Sequence, residues 1–228
     1  MPHPFIQLKF IKYKYGHDHL YSHLDAQHAM PPEADLFTAQ IVEQVIEKTG
    51  CFGIISQISR TIADLNRKPN GRNNEALEEY RKTIKSNLLQ LGILNQETNT
   101  SLHPYLHLTI HGMRDLHHGP YAIEIGTQNG RSCSPDVLQW FQHTITTLVQ
   151  KVLPNITIIF DHFFNGDESI LYHRLGDGDT FKGYGPHFHT FQIEISRTLR
   201  ENHLPEIVEL LSKIMLSFQQ EIVMNDLK

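Results

Sequence analysis

The chain is predicted to be an α/β protein, a three-layer α/β/α sandwich with a mixed, mostly parallel sheet. Short runs rich in β-branched and aromatic residues alternate along it with longer amphipathic segments. That order is typical of a sheet covered by helices on both faces. A chain of 228 residues is enough for one such domain and short for two. We therefore expect residues 1–228 to form a single domain.

The composition argues against two classes of partner, nucleic acids and membranes. The formal net charge is −5 and no basic tract is present, which argues against nucleic acid. No apolar run approaches the length of a membrane span, and the first residues lack the layout of a signal peptide. Cys51 and Cys133 are too few for a disulfide framework. We expect a cytoplasmic protein without nucleic-acid or membrane partners, and the oligomeric state is not predicted.

The elements of the first quarter follow from local patterns. Residues 5–15 alternate apolar and polar side chains and are rich in aromatic residues, which predicts a strand. A histidine-rich loop over residues 17–28 follows. Residues 34–48 carry an apolar stripe at helical spacing that ends before Gly50, which predicts a helix. The apolar run 51–56 predicts a buried strand. Strand, helix and strand together indicate a parallel α/β unit.

The middle of the chain continues the alternation. After a turn-rich break, residues 74–91 have helical spacing of apolar side chains. Residues 102–111 and 121–126 alternate or cluster apolar residues as strands do. Ser134 and Pro135 are typical of a helix start, and this helix is expected to end near residue 151.

The last third contains two more predicted strands and a helix. Residues 155–160 are rich in β-branched side chains, and residues 190–196 alternate polar and apolar ones. Between them, residues 176–186 contain four glycines and predict a loop or lid. Residues 205–224 are predicted to form the final helix.

Polar residues directly after the strand 51–56 form a candidate anion site. Arg60, Asn66 and Arg67 lie there, and the planar fork of arginine matches the two oxygens of a carboxylate. The alternative is a surface loop whose arginines are solvated or paired with Asp64.

A second group of residues has the chemistry of a metal site. His17 and His19 follow the first predicted strand, and His111 ends a later one. Glu33 and Asp35 stand at the start of the helix between them. Two imidazoles and a carboxylate are the N, O, N ligand set of a catalytic zinc with one open position. Which of the first two histidines and which carboxylate take part stays open.

Glu194 has a different position, inside a predicted strand and next to the glycine-rich segment. A carboxylate there suits a general base that takes a proton from metal-activated water. The alternative is an exposed strand face on which Glu194 pairs with a lysine or arginine.

Four motifs in order resemble a known family. They are S-R-T-I-A-D-L-N-R at 59–67, T-I-H-G-M at 109–113, Y-A-I-E-I-G-T-Q-N-G-R-S-C at 121–133 and H-F-H-T-F-Q-I-E-I-S-R at 187–197. Together they resemble the N-formylglutamate amidohydrolase family, a branch of the zinc carboxypeptidase fold.

The resemblance implies a hydrolase that uses one divalent ion, Zn²⁺, and cleaves a small acidic amide such as N-formylglutamate. The matching motifs imply that Arg60 polarises the scissile carbonyl and that Asn66 and Arg67 hold the carboxylate of the substrate. His111 is implied to bind the metal, with Glu194 as general base.

The first motif of the family is changed in this chain, where residues 15–19 read Y-G-H-D-H. We take His17 as the first metal ligand, with His19 next, and Glu33 or Asp35 as the carboxylate. Two alternatives remain beside the amidohydrolase. One is a carboxypeptidase-like hydrolase of γ-glutamyl or peptidyl amides, and the other is a non-catalytic relative that binds metal or a metabolite.

Overall fold

The computed structural model describes residues 4–16 and 19–228. Strands β1 to β10 span, in chain order, Ile6–Gln7, Ile11–Lys14, Ser22–Ala26, Phe52–Ser56, Leu94–Asn95, Thr100–Ser101, Tyr105–Met113, Ala122–Gly126, Thr157–Phe160 and Phe188–Ser196. Helices α1 to α8 span Thr38–Thr49, Asn74–Gln90, Asp115–His118, Pro135–Val152, Ser169–Leu175, Arg197–Asn202, Leu204–Phe218 and Met224–Asp226. A π-helical turn, Gln219–Val223, joins the last two helices.

Eight of the strands form one sheet in the order β1-β2-β4-β3-β7-β10-β8-β9, and β5 pairs with β6 separately. The pairs β4–β3, β3–β7, β7–β10 and β8–β9 are parallel, and the others in the large sheet are antiparallel. Helices α1, α4 and α7 pack on one face, while α2 packs on the other. The predicted fold class, a three-layer sandwich with a mixed, mostly parallel sheet, is confirmed.

The two faces of the central strands β3, β7 and β10 differ in chemistry. Side chains alternate across a strand, so every second residue shares a face. The face toward α1, α4 and α7 is apolar, with members such as Leu24, Leu108 and Ile193. The opposite face is polar and nevertheless buried, and it carries His23, Asp25, His107, Thr109, His111, Thr190, Gln192 and Glu194. This polar face positions the candidate site.

The first predicted strand is wrong in two respects. Residues 5–15 form two short antiparallel strands, β1 and β2, and β2 runs antiparallel to β4. The strand that is parallel to β4 is β3, inside the segment predicted as a loop. The reason is that His23 and Asp25 are buried polar residues, so they concealed the alternation with Leu24 and Ala26.

Other differences are local. Helix α1 begins at Thr38 rather than near residue 34, because Phe37 has a left-handed φ of 73° that a helix cannot include. Helices α5 and α6 were not predicted, and α7 gives way to the π-helical turn after Phe218. Among the residues that the structure describes, no helix combines the length and the apolar character needed to span a membrane.

Candidate metal and catalytic site

The site lies where three neighbouring parallel strands end. In parallel strands the carboxyl ends meet at one edge of the sheet, where side chains of the following loops converge. His28 lies two residues beyond the end of β3, and His111 and Glu194 lie near the ends of β7 and β10. The register pairs His111 directly with Glu194, so their side chains share a face.

His28, Asp35 and His111 form one group of possible metal ligands, which we call the rim group. His28 Nδ1 is 3.5 Å from Asp35 Oδ2, and His111 Nδ1 is 3.4 Å from the same oxygen. In a tetrahedral site with bonds of about 2.0–2.1 Å, neighbouring ligand atoms stand about 3.3–3.4 Å apart. Both distances to Asp35 Oδ2 therefore match ligands that share one ion, and the ligand atoms of the group all lie within 4.8 Å of one another.

Backbone contacts bring Asp35 to His28 across a loop. The Asp35 N–H donates to the His28 carbonyl at 2.8 Å, and the Thr38 hydroxyl donates to the Asp35 carbonyl at 2.7 Å. Glu33 and Phe37, on either side of Asp35, have left-handed φ values of 62° and 73°. Side chains other than glycine rarely adopt this conformation, and it is found mostly where surrounding structure enforces it. The loop thus holds Asp35 in place.

Each histidine of the rim group is oriented by a partner on its other nitrogen. His28 Nε2 is 2.7 Å from Asp64 Oδ1, and His111 Nε2 is 3.0 Å from the Thr109 hydroxyl. A carboxylate only accepts hydrogen bonds, so Asp64 places the proton of a neutral His28 on Nε2 and leaves the Nδ1 lone pair free. That Nδ1 atom is buried and has no hydrogen-bond partner among residues 4–16 and 19–228. The residues fit a divalent metal such as zinc.

The electrostatics of the rim group favour a cation. Burial alone would raise the pKa of Asp35, but the adjacent imidazoles of His111 and His28 and the charge of Arg60 hold it well below its usual value. Burial lowers the pKa of His111, yet Asp35 and Glu194 outweigh this and raise it. Surroundings that hold a proton on His111 also attract a metal ion in its place.

Arg60 contacts the rim group from outside. Its Nη2 donates to Asp35 Oδ1 at 2.7 Å, which turns the other carboxylate oxygen toward the two histidines. Its Nε is buried and has no partner within the part of the chain that the structure describes. The guanidinium therefore has donors left for a further acceptor.

Glu194 is almost fully buried beside His111. Burial raises the pKa of Glu194, and the charge of His111 and a hydrogen bond from Gln192 offset part of this rise. The Gln192 amide Nε2 donates to Glu194 Oε1 at 2.9 Å. A carboxylate with a raised pKa next to a metal site has the properties of a general base near neutral pH.

The side chains of Asn66 and Arg67 lie in different environments. The Asn66 side chain is buried, where it accepts from the Ser169 hydroxyl and donates to Gln192 Oε1 at 3.3 Å. Arg67 is half exposed and pairs with Asp167, and its Nε lies 3.8 Å from Asp64 Oδ2. An exposed ion pair contributes little free energy, so an incoming carboxylate can replace Asp167 at the Arg67 fork.

The structure brings some predicted ligands together and separates others. Asp35 and His111 lie in the rim group, while the exposed Glu33 does not. His17 lies outside the described residues. His19 precedes β3 and so lies at the opposite end of that strand from His28.

His28 and Gln192 were not singled out from the sequence, and Asp64 was named only as a possible partner of the arginines. A signal for His28 was present in Ser22 to Gln27, where Leu24 and Ala26 alternate with polar residues. That alternation predicts a strand that ends just before His28. The alternation of residues 190–196 places Gln192 and Glu194 on one strand face, but the contacts of Asp64 with His28 and of Gln192 with Asn66 were not predictable, because they join segments that are far apart in the chain.

Solved structures share this fold, although no protein-family model and no curated protein matches the chain. N-formylglutamate amidohydrolase from Ralstonia eutropha JMP134 superposes with a TM-score of 0.66 at 13% identity, over 94% of this chain and 98% of that one. A bacteriophage poly-γ-glutamate hydrolase has a TM-score of 0.52 at 11% identity, over 92% and 89% of the two chains. A metallo-carboxypeptidase from Burkholderia cenocepacia has a TM-score of 0.50 at 11% identity, over 92% of this chain and 61% of its own. The chain thus has the fold of the amidohydrolase and carboxypeptidase-like proteins.

Proposed function

We propose that the protein is a metal-dependent hydrolase that cleaves a small acidic amide such as N-formylglutamate. The observation that carries the proposal is the spacing of the rim group, with Glu194 in register beside His111. Ligand atoms 3.4 and 3.5 Å apart and an adjacent buried carboxylate are the parts that metal-assisted hydrolysis requires. The shared fold of a solved N-formylglutamate amidohydrolase supports the same reaction class.

His28, Asp35 and His111 would hold the ion, and three protein ligands leave a position open. A bound divalent metal, Zn²⁺ in our proposal, supplies Lewis acidity and lowers the pKa of water. Asp64 and Thr109 keep the two imidazoles in the orientation that ligation needs.

Glu194 transfers the proton. It takes a proton from water as the oxygen attacks the amide carbon, and it returns that proton to the nitrogen as the C–N bond breaks. The products are a carboxylic acid and an amine, which are formate and glutamate for N-formylglutamate. The raised pKa of Glu194 suits it to both steps.

The two arginines are assigned to different groups of the substrate. Arg60 has free donors next to Asp35, and we assign it to the carbonyl oxygen, where negative charge develops during attack. Arg67 is assigned to the carboxylate of the substrate, since its Nη1 already donates to the carboxylate of Asp167.

A second candidate is hydrolysis of γ-glutamyl or peptidyl amides by the same groups. It is favoured by the fold shared with the poly-γ-glutamate hydrolase and by the exposure of Arg67, which leaves room for a longer acidic chain. The acyl group that is released separates the two candidates. Release of formate from N-formylglutamate supports the first, and release of glutamate from γ-glutamyl peptides supports the second.

The test combines metal content with a substrate panel. The purified chain is loaded with Zn²⁺ and assayed on N-formylglutamate, its uncharged diamide and γ-glutamyl peptides. Glu194→Gln should keep the metal and lower kcat by about 10²–10⁴-fold, because the carboxamide cannot take the proton. The matched control is Glu47→Gln on the exposed face of α1, which should match the parent chain. No hydrolysis by the metal-loaded parent chain, or full turnover by Glu194→Gln, would overturn the proposal.

A further inference from the structure

Gln192 links the candidate base to the segment that carries Asn66 and Arg67. It lies on β10, two residues before Glu194, and its side chain is 5% exposed. Its Nε2 donates to Glu194 Oε1 at 2.9 Å. Its Oε1 accepts from Asn66 Nδ2 at 3.3 Å and from the Asp167 N–H at 3.2 Å. One buried amide therefore joins β10 to two other segments of the chain, those that carry Asn66 and Asp167.

The orientation of this amide follows from its neighbours. The two groups that face Oε1 are an amide NH₂ and a backbone N–H. The backbone N–H can only donate, and a flipped Gln192 would set its own N–H groups against it. The group that faces Glu194 must then be the NH₂, which a carboxylate accepts. Asn66 is fixed in turn, because Gln192 Oε1 can only accept and so faces the Asn66 NH₂, which leaves the Asn66 carbonyl oxygen to accept from Ser169.

The contact with Gln192 leaves the two oxygens of Glu194 unequal. Oε1 accepts the amide hydrogen bond, while Oε2 has no hydrogen-bond partner among the described residues. A base must present one oxygen to water in a fixed direction, and misplacement of a reacting group by about 1 Å costs about 10²-fold in rate. The amide thus fixes which oxygen of Glu194 is free and where it points.

We propose that Gln192 is a positioning residue for Glu194, and that Asn66 acts on the reaction through Gln192 rather than by contact with the substrate. This inference rests on the proposed hydrolase function. It changes the role of Asn66, because both ends of its side chain are bonded inside the protein while Arg67 alone is exposed to an incoming carboxylate. The acidic end of the substrate is then bound by Arg67, and the rate of the chemical step depends on Asn66 and Gln192.

The test separates kcat from KM in single and double variants. Gln192→Met keeps the length of the side chain and removes its hydrogen bonds, so kcat should fall about 10–100-fold while KM changes less than about threefold. Asn66→Ala should lower kcat in the same manner, and the double variant should lose little more than either single one. Thr190→Val is the matched control on the same strand, and it should keep the kcat of the parent chain.

Several results would overturn the inference while the proposed function stands. They are an unchanged kcat in Gln192→Met, a rise in KM alone in Asn66→Ala, or independent losses that multiply in the double variant. If Gln192→Met does not fold, Gln192→Leu removes the same hydrogen bonds with a smaller side chain and no added charge. A parent chain without any hydrolysis would instead contradict the proposed function. Crystal structures then provide the test without turnover: Glu194 should change its side-chain orientation in Gln192→Met, and an unmoved carboxylate would overturn the inference.

Discussion

Two groups of two histidines and one aspartate lie along the same polar face of the sheet. The rim group consists of His28, Asp35 and His111, and the second, which we call the core group, consists of His23, Asp25 and His107. The core group takes its residues from β3 and β7, and the rim group takes its residues from the loop that follows β3 and from β7. They have the same residue types in the same number, so any difference between them comes from geometry.

The distances separate the two groups. In the rim group, the imidazole nitrogens stand 3.4 and 3.5 Å from the carboxylate oxygen, which is the spacing of ligands around an ion. In the core group, His107 Nε2 is 2.9 Å from Asp25 Oδ2, an ordinary hydrogen-bond distance. The Tyr80 hydroxyl donates to the same oxygen of Asp25. Asp25, His107 and Tyr80 thus form a hydrogen-bonded network, while neither ring nitrogen of His23 has a hydrogen-bond partner among the described residues.

The planes of the imidazole rings differ as well. His28 and His111 are inclined by 76°, so their in-plane lone pairs can meet at one point. His23 and His107 are stacked with centroids 4.1 Å apart and planes only 6° from parallel. Lone pairs in parallel planes cannot converge on one ion. The comparison teaches that ring orientation and spacing, not the presence of histidine and aspartate, define a metal site in this fold.

The largest expected effect is on metal affinity. Asp35→Asn removes a charged ligand from the rim group and should weaken zinc binding by more than the roughly 10–100-fold typical of an outer partner. Asp25→Asn is the matched control in the core group, and its zinc affinity should stay within about threefold of the parent chain. Titration with a competing chelator measures both. Equal losses in the two variants would remove the distinction between the groups.

The loss of folding stability should rank the same two variants in the opposite order, with the larger loss in Asp25→Asn. Asp25 is buried, and although burial alone raises the pKa of Asp25, the charges of His107 and His23 and the hydrogen bonds from His107 and Tyr80 together lower it. Asp25→Asn leaves His107 and Tyr80 without their charged acceptor and should lower the free energy of unfolding by about 3–5 kcal/mol. In the metal-free chain, Asp35→Asn should lower the free energy of unfolding by a smaller amount, since the side chain of Asp35 is partly open to solvent. Urea unfolding provides the measurement.

The pH dependence of stability follows from the same carboxyl group. The pKa of Asp25 is lower in the folded than in the unfolded chain, so its contribution is present above about pH 4 and is lost as pH falls. Because the unfolded chain binds the proton first, stability should fall by up to about 1.4 kcal/mol per pH unit from this group. In Asp25→Asn, the free energy of unfolding measured with urea should depend less on pH below about pH 4 than in the parent chain. An unchanged dependence on pH would contradict the assignment.

The smallest expected effect is in the outer contacts of the rim group. Asp64→Asn keeps the shape of the partner of His28 but removes its charge, so zinc affinity should fall about 10–100-fold. The free energy of unfolding of the metal-free chain should change little. A zinc affinity equal to that of the parent chain would show that His28 does not depend on Asp64 for its orientation.

Patterns of alternation and capping were enough to predict most of the fold. Strands β4, β7, β8 and β10 and helices α2, α4 and α7 were predicted close to their observed positions. Strand β3 was missed because His23 and Asp25 are polar yet buried, and a pattern based on polarity places such residues in a loop. With β3 missed, the sequence pointed to His17 after the first predicted strand and not to His28 after β3.

The candidate site was predictable where a residue ends a strand with clear alternation. His111 and Glu194 stand at such ends, and the register of β7 and β10 then pairs them. The choice between Glu33 and Asp35 was not predictable, because it depends on a loop with left-handed residues that no local pattern specifies. The role of Gln192 depends on contacts with residues more than 20 positions away in the chain.

The central claim is that the rim group, and not the core group, holds a metal ion. Anomalous diffraction at the zinc edge, from crystals of the zinc-loaded chain, tests it most directly. We predict one peak at about 2.0–2.1 Å from His28 Nδ1, Asp35 Oδ2 and His111 Nδ1, and none beside His23. A peak in the core group, or no peak in the rim group at saturating zinc, would contradict the account.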